Sequence, residues 1–150
     1  MHLTAMTDCS LRLLMHVAQH PERLCTIGEI AHAHAISEAH LMKITHRLAL
    51  AGWIETVRGR RGGMRLARRP QDIRVGDIVR SVEPGFALVD CFSTRGSCTL
   101  TGSCRLADVF EGALAQFMRH LDGFTLADVL PKAGARVPGI ATVILQPRAS

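Results

Sequence analysis

Trp53-Ile54-Glu55-Thr56-Val57-Arg58-Gly59-Arg60-Arg61-Gly62-Gly63-Met64-Arg65-Leu66-Ala67 holds two alternating, strand-like runs on either side of a glycine- and arginine-rich turn. Residues 53–58 and 64–67 predict the arms of a β-hairpin, and residues 59–63 predict its tip. The glycines permit close backbone approach to a phosphate, and the tip arginines suit a narrow minor groove in which negative potential is focused. Glycine-rich loops also cradle nucleotides, but no P-loop Lys-Ser/Thr pair or dinucleotide fingerprint accompanies this one.

Upstream, Ser37 can cap a helix that carries Leu41, Ile44 and Leu48 on one face and ends at Gly52. His40, Lys43, Thr45, His46 and Arg47 are left to point away from the core. Before it, Thr26-Ile27-Gly28-Glu29 reads as a capping box opening a short helix through Ala33. Earlier still, Leu11, Leu14, Met15 and Ala18 recur at helical spacing between Asp8 and His20, and Pro21 closes that segment. Two short helices with a brief turn between them match a helix-turn-helix, and the hairpin behind them makes a wing.

Charge agrees with that plan. The 150-residue chain has a net charge of +5, and residues 1–80 hold twelve Lys/Arg against seven Asp/Glu while residues 81–150 hold six against six. Arg58, Arg60, Arg61, Arg65, Arg68 and Arg69 fall in a stretch without one acidic residue, the footprint of a polyanion-binding surface. No apolar run reaches membrane-spanning length and the first residues lack a signal-peptide pattern, so a cytoplasmic protein with no membrane role is expected.

Five cysteines without an export signal point to metal or redox chemistry rather than to disulfides. Cys91, Cys98 and Cys104 are six or seven residues apart in a segment rich in Ser, Thr and Gly. Three thiolates from one loop suit three irons of a cubane cluster; zinc and plain redox-active thiols are the rival readings. Zinc usually shows a tight Cys pair, and there is none here. After Cys104, residues Leu106, Val109, Phe110, Ala113, Phe117 and Leu121 form the stripe of a long amphipathic helix. A winged helix closes its own core, so this extra stripe calls for a twofold partner. Cys25 reads as a buried structural thiol, and the eight histidines read as surface or DNA-facing residues, none of them a metal ligand.

Leu3-Thr4 through Thr7-Asp8, the run 37–44, Ala51-Gly52-Trp53-Ile54 and the run 57–66 resemble the Rrf2 family of bacterial winged-helix regulators, over about residues 1–130. Within it the chain is similar to the NsrR-like, nitric-oxide-responsive repressors. IscR-like members place a histidine three residues after the last cysteine, where this chain has Ala107. The resemblance implies a homodimer on double-stranded operator DNA, with a cluster of the 4Fe-4S type (2Fe-2S being the alternative) held by Cys91, Cys98 and Cys104. It implies Asp8 as fourth ligand, donated by the partner's first helix; a helix cap is the other role open to Asp8, and Cys9 is either an inert core thiol or an alternative ligand.

The combined expectation is a mainly α fold with a small β-hairpin. A winged helix-turn-helix domain spans 1–80 and a cluster-binding loop region 81–104. A dimerisation helix with a short following helix spans 105–130, and a tail 131–150. Ser37, Glu38, His40, Lys43 and Arg47 are the candidate contacts of the recognition helix (37–51) in the major groove, and Arg58, Arg60, Arg61, Gly62 and Gly63 those of the wing. The expected function is cluster-dependent repression of transcription with nitric oxide as signal, not catalysis, since no nucleophile elbow or cofactor fingerprint is present. An iron- or redox-responsive regulator of the same family and a zinc-stapled, non-sensing DNA binder are the alternatives.

Overall fold

The computed structural model describes residues 2–88 and 104–131. Thr4 opens helix α1 (Ala5–Ala18), its hydroxyl accepting from the Thr7 backbone N–H. The helix therefore begins before Asp8, and its covered residues are Leu13, Leu14, Val17 and Ala18, with Leu11 and Met15 only partly buried at the edge. The expected stripe is rotated because α1 is central: it packs against three other helices and the hairpin, so more than one face must be apolar or small. Thr7 and Ser10 are buried among them, and Ser10 Oγ donates to the Met6 carbonyl at 2.7 Å.

Helix α2 (Ile27–His34) starts with the capping box read from the sequence: Glu29 N–H donates to Thr26 Oγ1 at 3.2 Å and Thr26 N–H to Glu29 Oε2 at 3.4 Å. Ala35 takes a left-handed conformation (φ 53°) to turn the chain. Ser37 then caps helix α3 (Glu38–Leu50) through the His40 N–H, and Leu41, Ile44 and Leu48 are fully buried as their spacing predicts. Strands β1 (Ile54–Val57) and β2 (Gly63–Leu66) pair antiparallel with Ile54 opposite Leu66 and Val57 opposite Gly63.

After a 3-10 turn at Pro70–Asp72, helix α4 (Val75–Val82) buries Ile78, Val79 and Val82, and Trp53 Nε1 donates to Ser81 Oγ at 2.8 Å, tying it to the start of the hairpin. Helix α5 (Arg105–Asp122) has no fully buried residue. Its C-terminal end is fastened to α4 by Arg80, which donates to both Asp122 oxygens at 2.7 and 2.6 Å, and by the Val75 N–H to the Phe124 carbonyl at 2.9 Å. Residues 125–130 form a hydrogen-bonded turn that buries Leu126, where a short helix was expected. Among the described residues this makes five α-helices and one two-stranded hairpin, the winged helix-turn-helix with an appended long helix.

Candidate nucleic-acid interface

Six wing-region arginines read alike in the sequence, and the fold divides them. Arg65 pairs with Glu55 at 2.8 Å across the strands, Arg69 with Asp72 at 2.8 Å, and Arg68 lies over the Trp53 ring at 5.3 Å. Arg58, Arg60 and Arg61 are exposed at the tip and make no ion pair among the described residues. The tip geometry depends on glycine: a Cβ on Gly62 would lie 2.2 Å from the Val57 carbonyl oxygen, and one on Gly63 2.7 Å from that of Cys25.

On α3, Ser37 is the cap, Glu38, Lys43 and Arg47 are exposed, and His40 is half-buried. His46 is exposed as read, but Thr45 is not: it is buried, and its hydroxyl has no hydrogen-bond partner among the described residues. The helix turns it toward the hairpin, where Thr26, Thr45, Thr56, Gly59 and Gly62 help to line an open groove of ≈ 300 Å³. The unpaired tip arginines and the exposed basic residues of α3 give the chain two surfaces able to meet a polyanion.

The metal-ligand candidates fall unevenly. Cys91 and Cys98 lie outside the described residues. Cys104 is the N-cap residue of α5 and is partly exposed. Asp8 does not cap α1, since Thr4 does; it is exposed in the first turn and pairs with Arg12 at 3.0 Å. Cys9 next to it turns inward into the core, where burial, then the Asp8 charge, pushes its thiol pKa up. The start of α1 is anchored by Glu83 at the end of α4, which accepts from Thr7 Oγ1 at 2.5 Å and from Thr4 N and Oγ1 at 3.1 Å. Burial works against ionisation of Glu83, yet these hydrogen bonds prevail and hold its carboxyl below the usual range.

One grouping escaped the sequence reading. His16, His20, Cys25 and Glu29 present ligand atoms that all lie within 4.8 Å of one another. The available signal was the i, i+4 pair of His16 and His20, followed by Cys25 and Glu29 at short intervals, which separate reading of each residue concealed.

A family model described as "Iron-dependent Transcriptional regulator", Rrf2, matches residues 3–132. The chain belongs to the Rrf2 family. Among curated Rrf2 relatives it is 47% identical to the HTH-type transcriptional regulator NsrR of Geobacillus kaustophilus, over 87% of this chain and 90% of that one. It is 42% identical to the NsrR regulator of Bacillus subtilis over the same shares. The structure of T. potens IscR superposes with a TM-score of 0.68 at 30% identity, covering 85% of each chain. CymR of B. subtilis, at 22% identity, has a TM-score of 0.70 over 86% of this chain and 95% of that one, and shows the common fold. As an Rrf2 protein the chain is a DNA-binding transcription regulator and not an enzyme, and no helix among its described residues is long and apolar enough to cross a membrane.

Proposed function

We propose that this Rrf2 protein is a homodimeric repressor that grips operator DNA in a manner dependent on an iron-sulfur cluster and responds to nitric oxide. The observation that carries the DNA half is the wing tip, where Arg58, Arg60 and Arg61 are exposed beside the glycine turn with no ionic partner among the described residues. With α3 presenting Ser37, Glu38, His40, Lys43 and Arg47 to the major groove, the wing tip and Gly62-Gly63 meet the adjacent minor groove.

The dimer rests on α5, where Leu106 and Val109 are 58% and 65% exposed in the single chain. An apolar stripe left this open on a long helix calls for a second copy. The donor set for a 4Fe-4S cluster is Cys91, Cys98 and Cys104, with Asp8 of the partner as fourth ligand. Cys104 at a helix start, partly exposed, and Asp8, exposed and free of capping duty, fit that role; Cys9, turned into the core, fits it poorly. Three thiolates and one harder carboxylate oxygen would hold such a cluster, which when bound would supply iron reactive toward small diatomic ligands. In that role the Asp8 carboxylate and Cys104 would join the first helix of one protomer to the dimer helix of the other, and releasing the link would remove the bias toward operator spacing.

Anaerobic purification with absorption spectroscopy tests the ligand set. Cys91→Ser, Cys98→Ser and Cys104→Ser should each abolish a stable cluster, Cys25→Ser should not, and Asp8→Ala should weaken it without unfolding the chain. Full cluster occupancy in any loop variant refutes the assignment. The family's description as iron-dependent favours iron supply as a second signal, and DNA release on iron withdrawal with no response to nitric oxide would select it.

A further inference from the structure

The end of α1, the loop after it and the first turn of α2 converge on His16, His20, Cys25 and Glu29, whose four donor atoms lie within 4.8 Å of one another. We propose that these residues form a second metal site, for a zinc-class divalent transition ion, separate from the cysteine loop. Two imidazoles, one thiolate and one carboxylate are donors that zinc accepts in tetrahedral geometry, and such donor atoms stand roughly 3 to 4 Å apart once bound, so a contraction of about 1 Å closes the site.

The surroundings orient the ligands as metal-bound histidines need. His20 Nδ1 lies 2.9 Å from the His16 carbonyl, so that nitrogen carries the proton and Nε2 is left to coordinate. His16 Nδ1 faces His34 Nε2 at 3.2 Å, an acceptor for the proton that leaves His16 Nε2 free. His16 Nε2 already points at Glu29 Oε1 from 3.1 Å. Cys25 is fully buried, and His16 and Glu29 are mostly covered, with side-chain exposures of 12% and 28%. One neighbour opposes a cation: Arg23 pairs with both Glu29 oxygens. Its side chain is 43% exposed and can swing into water, and a pair at that exposure contributes little.

The site has a mechanical consequence. Cys25 exchanges backbone hydrogen bonds with Met64 of β2 at 2.9 and 2.8 Å, so a metal held by Cys25 ties α1, α2 and the wing into one rigid reading head. The site is independent of the cluster, and it is tested in the full chain with Cys91, Cys98 and Cys104 replaced by Ser. That metal-free protein, titrated anaerobically with cobalt, should take up one ion per chain and show tetrahedral visible bands with a thiolate charge-transfer band. Zinc should displace the cobalt and raise the melting temperature. Cys25→Ser should remove the thiolate band and Cys9→Ser should keep it. His20→Gln, a change at a partly exposed side chain, should weaken cobalt binding at least about tenfold while leaving the metal-free fold intact. Absence of one-to-one uptake, a thiolate band that survives Cys25→Ser, or unchanged affinity in His20→Gln overturns the site.

Discussion

Replacing Arg60 and Arg61 together with Ala removes two of the three tip guanidinium groups that have no ionic partner among the described residues. A dimer presents two wings, so four cations leave the interface. If each neutralises one phosphate at about 0.9 in the slope of log K against log salt, the slope falls by about 3.6. Over a fourfold rise in salt, the wild-type complex then weakens roughly 150-fold more than the variant does. Folding should be nearly untouched, within about 0.5 kcal/mol, because exposed side chains without partners leave nothing unsatisfied. Arg65→Ala is the internal comparison: its guanidinium is engaged with Glu55, and its loss should change the slope far less. The assay is fluorescence anisotropy on operator DNA across a salt series with cluster-loaded protein. Parallel slopes for wild type and the double variant would remove the wing from the DNA interface.

Three further outcomes follow from the packing. Gly62→Ala places a methyl 2.2 Å from a backbone oxygen, so unfolding by denaturant should show a loss of about 1–3 kcal/mol; an unchanged midpoint contradicts the tip geometry. Thr7→Val strips the shortest hydrogen bond from Glu83, costing about 1–3 kcal/mol near neutral pH. Because Glu83's folded pKa is depressed, its contribution is present above the ordinary carboxylate range and lost as pH falls through the folded value, so the variant should lose the difference from wild type in acid. A deficit of equal size at every pH argues against this anchor. Val109→Glu, on the open face of α5, should convert dimer to monomer in sedimentation without lowering secondary structure, and a persistent dimer would place the interface elsewhere.

The hairpin, the α2 capping box and the α5 stripe were legible in the sequence because each is written locally: turn glycines, a Thr-x-x-Glu pair, a three- and four-residue period. Helix α4 went unread although Val75, Ile78, Val79 and Val82 have helical spacing, since it spans only eight residues and Arg74 makes no side-chain cap. The rotation of α1 was hidden for another reason. Its stripe is set by what packs on it from several sides, and periodicity cannot tell Leu11 from Leu13 until those neighbours are in place. The same holds for Thr45, which reads as pointing away from the core beside His46 but is buried toward the hairpin. The arginine-rich run does form a hairpin with an exposed tip, yet which arginines are already engaged depends on Glu55, Asp72 and Trp53 meeting them across the fold. The histidine, cysteine and glutamate group arises only where the end of α1 meets the start of α2. Its donors come from three segments, and no single motif announces it.

If the cluster state sets the grip on DNA, an anaerobic titration of the cluster-loaded protein with nitric oxide reads it out. Operator affinity and cluster absorption are followed in the same samples. Affinity should fall in step with the absorption change, and Asp8→Ala should shift both curves together. Operator binding that persists at full strength after the cluster absorption has gone would contradict it.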